Sequence, residues 1–120
     1  MVNWDVVGNV NTCYGAEVLL SNGTVLQQVI GQHESGKSDA NVEALYVYNT
    51  NCPFIPTKIE TFFPNLLAIQ FYQTNLKVLT STDLRPFPML KIFTVYSNPI
   101  ELLDGDVFDN NGQLERIDFW

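Results

Sequence analysis

Positive charge is scarce in this chain. Lys and Arg together number 6 against 13 Asp and Glu, a formal net charge of −7 over 120 residues. Such a balance repels phosphate backbones, so nucleic acid is not an expected partner, and an anionic membrane surface is disfavoured for the same reason. Long hydrophobic runs are also missing. No apolar stretch approaches the roughly 18–20 residues of a spanning helix, so no membrane insertion is expected. Histidine is nearly absent: His33 stands alone, and with only two cysteines it does not fill a tetrahedral metal shell. A lone histidine without a convincing nucleophile beside it leaves no acid–base constellation. The sequence therefore predicts no enzyme, no metal and no cofactor. Met1-Val2-Asn3-Trp4 has neither a basic start nor an apolar core, so no signal peptide is visible. That start fits a cytosolic protein, or one whose signal was removed and a Met added.

Two local motifs promise more than their context supports. Gly31-Gln32-His33-Glu34-Ser35-Gly36-Lys37-Ser38 fits the phosphate-loop pattern G-x-x-x-x-G-K-[ST]. That pattern works where a strand enters the loop and a helix leaves it, so that helix N–H groups cradle phosphates. Here Asp39-Ala40-Asn41 and a strand follow, and the segment reads as a polar junction loop. Asp104, Asp106 and Asp109 cluster, but not at the spacing of a calcium-binding loop, which reads as a solvated acidic turn.

What the chain does have is a period. Val42, Leu66, Leu90 and Leu114 lie 24 residues apart, as do Leu45, Ile69, Phe93 and Ile117, and again Val47, Phe71, Val95 and Phe119. A fixed period of 20 to 50 residues signals a solenoid, and apolar-x-x-apolar-x-apolar fits a leucine-rich repeat. Alternate residues of a strand face opposite ways. Each repeat should thus supply one short strand with two inward side chains, and neighbouring strands should stack in parallel. Leu76, Leu79, Leu84, Ile100, Leu103 and Phe108 are expected to turn inward as each coil closes. Prolines 53, 56, 64, 86, 88 and 99 favour an irregular or 3₁₀ convex side over long helices. The predicted fold is an α/β-type solenoid, a leucine-rich repeat with a short parallel β-sheet and a β-hairpin N-terminal cap. Residues 1–41 form the cap and junction loop; the repeats span 42–65, 66–89, 90–113 and a partial 114–120. The whole is one structural domain.

In the cap, Ala16 to Leu20 and Thr24 to Ile30 flank Ser21-Asn22-Gly23, and Asn-Gly between apolar runs is a hairpin signal. Asn22-Gly23-Thr24 is also a glycosylation sequon, for which turn chemistry alone is an alternative explanation. Cys52 occupies the inward column of Leu76 and Ile100, and Cys13 lies in the cap. A Cys13–Cys52 disulfide would staple cap to first repeat, closing a loop of about 40 residues for roughly 4 kcal/mol. Two buried free thiols are the alternative. Asn98 stands where such repeats carry an asparagine bonding neighbouring turns; Thr50 and Thr74 stand there in earlier copies, where a less regular turn is expected.

The chain resembles the secreted leucine-rich-repeat proteins common in insects, which carry a cysteine-bearing N-terminal cap. The resembling residues are Gly31-x-His33-x-x-Gly36-Lys37-Ser38 with Asp39-Ala40-Asn41-Val42, then Phe63-Pro64-Asn65-Leu66, and Asn98-Pro99-Ile100-Glu101-Leu102-Leu103. The resemblance implies a secreted, extracellular binding module with a protein or other extracellular ligand. The departures are the twice-missing asparagine, Glu60 at an apolar convex position, and a fourth copy that stops within its strand. The expected ligand-binding surface is the concave face: Tyr48, Tyr72, Tyr96 and Trp120 in one column, with Tyr46, Gln70, Thr94 and Asp118 beside it. The four rings should form a ladder, because strands lie roughly 4.8 Å apart. The alternative function is a self-associating structural unit, a homodimer joined through the uncapped C-terminal strand, Leu114 to Trp120.

Overall fold

The computed structural model describes residues 36, 38–49 and 51–119, and the backbone of 2–4, 8–10 and 12–16. Five strands form one parallel sheet in the order β3-β4-β5-β7-β9: Thr12–Ala16, Ala44–Tyr48, Ala68–Tyr72, Ile92–Tyr96 and Arg116–Phe119. The register follows the 24-residue period: Leu45 lies opposite Ile69, Ile69 opposite Phe93, and Phe93 opposite Ile117. The chain is a β-solenoid of about three turns. Carbonyls at the same place in successive rungs carry the stack. Glu43 O accepts from Ala68 N at 3.1 Å, Leu67 O from Ile92 N at 3.1 Å, and Lys91 O from Arg116 N at 3.1 Å.

β4, β5 and β7 are each followed by a residue in the left-handed region. Asn49, Gln73 and Ser97 have φ of 49°, 53° and 55°, and they too lie 24 apart. Asn49 N donates to Tyr72 O at 3.1 Å and Gln73 N to Tyr96 O at 3.0 Å, so the turn is bonded to the next rung as it leaves the sheet. Past this turn the coil runs mostly through turns and bends. Two short elements interrupt it. One is the helix α1, a single turn at Ile59–Phe62. The other is a second parallel ladder, β6 (Val78–Leu79) with β8 (Leu102–Leu103), which the sequence reading did not anticipate. A 3₁₀ turn at Asp39–Asn41 precedes β4.

The inward strand residues make the core, and neighbouring rungs decide how well they are buried. Leu45, Ile69, Phe71, Phe93 and Val95 are buried, whereas Ile117 and Phe119 of the last rung are 40% and 39% exposed. The same holds in the second ladder, where Leu79 is fully buried and Leu103, expected inward, is 46% exposed. A rung buries its own apolar face only with a neighbour on each side, the property that makes repeat stability a sum of interface terms. Phe108 and Ile100 pack partly buried against the core. Phe93, Phe108 and Phe119 meet edge-on or tilted with ring centroids 6.1 to 6.5 Å apart.

Asn98 joins two rungs through both ends of its amide. Its Nδ2 donates to Phe71 O at 2.9 Å and Tyr96 O at 2.8 Å. Its Oδ1 accepts from Thr74 N at 2.9 Å, Thr74 Oγ1 at 2.9 Å and Leu76 N at 3.1 Å. Thr74, which holds the same place one rung earlier, is fully buried; its hydroxyl, expected to bond locally, donates instead across the rungs to Asn98. Thr50 lies outside the described residues.

Two expectations change here, and a third lies outside the described residues. The main sheet does not begin at the repeats: β3, within the segment read as cap, is already its first strand, paired with β4 from Thr12↔Ala44 to Ala16↔Tyr48. Ahead of it, β1 (Val2–Trp4) and β2 (Gly8–Val10) form an antiparallel pair. The hairpin expected about Asn22-Gly23, with the sequon, falls outside the described residues. Cys52, expected to bond Cys13, is a free buried thiol whose Sγ donates to Phe54 O at 3.1 Å. The register supplies the reason. Cys13 lies opposite Leu45 within the sheet, while Cys52 comes after the turn that follows the strand. The side chain of Cys13 lies outside the described residues.

Candidate functional site

The outward face of the sheet is set by strand alternation. Residues 44, 46 and 48 of β4 point away from the core, and the register carries these columns to 68, 70 and 72, to 92, 94 and 96, and to 116 and 118. The columns differ. Ala44, Ala68 and Ile92 are buried although they lie on the outward side. In the third column Tyr48, Tyr72 and Tyr96 lie side by side in register and are all half-buried. Trp120, the expected fourth member, lies outside the described residues.

Tyr46 and Tyr48 stack along one strand, centroids 5.1 Å apart and planes 20° from parallel. Tyr96 turns its hydroxyl to the last strand and donates to Asp118 Oδ2 at 3.1 Å. Arg116 completes that cluster: its Nε meets the same Asp118 oxygen at 2.6 Å, and its Nη2 donates to the Tyr96 hydroxyl at 3.3 Å. The guanidinium bond holds the Asp118 carboxyl below the usual carboxylate range, with the Tyr96 hydroxyl adding to it, and the bond to Asp118 in turn raises the pKa of Arg116. Arg116 was absent from the sequence expectation because its column reads Ala, Ala, Ile in earlier rungs. Its signal was the opposite charge two residues on, which strand alternation places on the same face.

The second column holds Tyr46, Gln70, Thr94 and Asp118. Tyr46, Gln70 and Asp118 are half-buried. Thr94 is a correction: it is 2% exposed, and its Oγ1 has no hydrogen-bond partner. It lies between the strands of Tyr72 and Asp118 and forms floor, not rim. The face is thus a half-exposed tyrosine row over an apolar and threonine floor, closed at its last strand by one arginine–aspartate pair.

A second concavity, of about 360 Å³, opens between the connecting segments of two rungs. It is lined by Pro56, Lys58 and Glu60 on one side and Thr82, Asp83 and Phe87 on the other. Burial pushes the Asp83 carboxyl up, opposed by bonds from Thr80. Its Oδ2 already accepts from Thr80 N at 2.7 Å, so this carboxylate holds a turn. Among the described residues no group of three or more His, Cys, Asp or Glu could hold a metal ion, and no helix is long and apolar enough to cross a membrane. Compared with protein-family models, curated proteins and solved structures, the chain matches none.

Proposed function

We propose that this chain is a secreted leucine-rich-repeat module that binds an extracellular protein through the outward face of its sheet. The observation that carries the reading is the in-register column Tyr48, Tyr72 and Tyr96, each half-exposed. Tyrosine offers a large apolar body with a hydrogen-bonding tip and few rotatable bonds, which is why it concentrates at recognition surfaces. The Arg116–Asp118 pair beside Tyr96 adds a donor and an acceptor of fixed orientation.

The test compares the parent with Tyr72→Ala/Tyr96→Ala. Each is offered as a labelled tetramer to a panel of purified extracellular ectodomains, with thermal melts run beside. An ectodomain that binds the parent saturably should lose about tenfold affinity or more with the double variant, which still melts cooperatively. Undiminished binding by a destabilised variant would assign the tyrosines to stiffening the sheet, where cross-strand pairs contribute up to about 1 kcal/mol.

A further inference from the structure

Gln70, Tyr72 and Thr94 hold side-chain polar atoms on the outward face that the fold leaves unspent. β5 and β7, which carry them, each have a strand on both sides. The register sets Gln70 directly across from Thr94, and Tyr72 on the diagonal, close enough for long side chains to meet over the threonine. Thr94 is 2% exposed, and its Oγ1 has no hydrogen-bond partner. A buried hydroxyl without a partner is destabilising, and folds keep few of them. Gln70 and Tyr72 are half-buried, and among the described residues neither the Gln70 amide nor the Tyr72 hydroxyl makes a bond. The tyrosines on either side are committed. Tyr48 stacks on Tyr46, and Tyr96 donates to Asp118, which Arg116 also holds.

We infer that these three residues form a sugar-binding site, whose ligand is an uncharged oligosaccharide carried by the extracellular partner. A sugar hydroxyl both donates and accepts. The Thr94 and Tyr72 hydroxyls do the same, and the Gln70 amide offers both functions. The C–H face of a pyranose is apolar, so it lies on the Tyr72 ring while its edge hydroxyls reach the polar ends around it. Charge excludes the acidic glycans. Arg116 and Asp118 are the only ionised side chains in the outward columns of β4, β5, β7 and β9, and they are bonded to each other. No cation is left to receive a sulfate or a carboxylate, and a chain of net charge −7 repels both. A peptide strand fits less well, because its backbone groups are met by a sheet edge, and these three residues lie on a face between paired strands. Binding swings the Gln70 and Tyr72 ends off Thr94. That motion breaks no hydrogen bond at either end, and a ligand hydroxyl then takes up the orphaned Oγ1. The sugar site lies within the tyrosine surface proposed above and rests on that reading, with the glycan as the part of the protein partner that is gripped.

The test is isothermal titration of the whole chain with chitohexaose, mannohexaose, cellohexaose and a sulfated heparin hexasaccharide. At least one neutral chain should bind saturably with a dissociation constant of about 1 mM or below, and the sulfated chain should not bind. Thr94→Val keeps the shape of the side chain and removes the hydroxyl. It should raise Tm by about 4 °C, because the orphan is gone, and yet weaken sugar binding about three- to tenfold. A merely structural threonine does not couple a gain in stability to a loss of affinity. Gln70→Ala should weaken binding by a similar factor while Tm stays within about 3 °C of the parent. Absence of saturable binding by every neutral chain, tighter binding of the sulfated one, or affinity that Thr94→Val and Gln70→Ala leave undiminished would each overturn the sugar site. So would an ectodomain that binds through Tyr72 and Tyr96 equally well after enzymatic removal of its glycans, and that outcome leaves the protein-binding reading standing.

Discussion

Replacing Asn98 with alanine is the sharpest test of how the rungs are joined. The amide makes five hydrogen bonds, two given through Nδ2 and three accepted at Oδ1. Alanine leaves Phe71 O, Tyr96 O, Thr74 N, Leu76 N and the Thr74 hydroxyl without that partner, and Thr74 is fully buried. A hydrogen bond contributes about 0.5–1.5 kcal/mol net, so five contribute on the order of 5 kcal/mol. Asn98 is itself only half-buried, so water replaces part of what is lost, and the expected cost is about 3–4 kcal/mol. That is a large share of the roughly 5–15 kcal/mol by which a domain is stable. At this chain length Tm should fall by about 12–16 °C. Asn98→Thr copies the residue found one rung earlier and keeps one short hydroxyl, so it should cost about half as much. Urea unfolding followed by circular dichroism measures both. The m-value adds a second reading: if the last rung frays separately in Asn98→Ala, m falls because less surface is exposed cooperatively. An Asn98→Ala protein melting within about 3 °C of the parent would refute the reasoning, because the rungs would then be held by apolar packing alone.

Other outcomes follow from single residues. Burial pushes the Cys52 thiol up to about 12, so alkylation at pH 8 should be slow in the folded protein and rapid in urea. Because the folded pKa lies above the unfolded one, the unfolded chain ionises first as pH rises. Stability should then decline between about pH 9 and pH 12 by up to about 1.4 kcal/mol per pH unit from this group, and Cys52→Ala should remove that component. Intact mass of the unreduced protein checks the thiol directly, since a value two hydrogens below the reduced one would mean that Cys52 is bonded after all. Gln73 holds φ of 53° without being glycine. Gln73→Gly should raise stability by about 0.5–1 kcal/mol, the relief of left-handed strain less the added entropy of the unfolded chain, and a lower Tm would show that the side chain itself stabilises the turn.

The solenoid, its period and its register were legible in the residues, because three apolar columns at a 24-residue spacing leave one way for strands to stack with those side chains inside. Asn98 was legible for the same reason: only one side chain at that turn had the reach and both polarities to bond two rungs. The tyrosine column could be placed on the outward face by alternation alone. The free Cys52 thiol, buried Thr94 and the Arg116–Asp118–Tyr96 cluster were decided by tertiary structure. Residue spacing says which face a side chain takes, whereas these outcomes depend on how far the neighbouring strand covers it and which groups it meets there. The left-handed column is the clearest case. Asn49 and Gln73 carry amides and Ser97 a hydroxyl, and polarity alone names no backbone conformation, yet all three adopt positive φ. The chain turns out of the sheet at the same point in these three rungs, and the stack imposes that conformation on the residue that stands there.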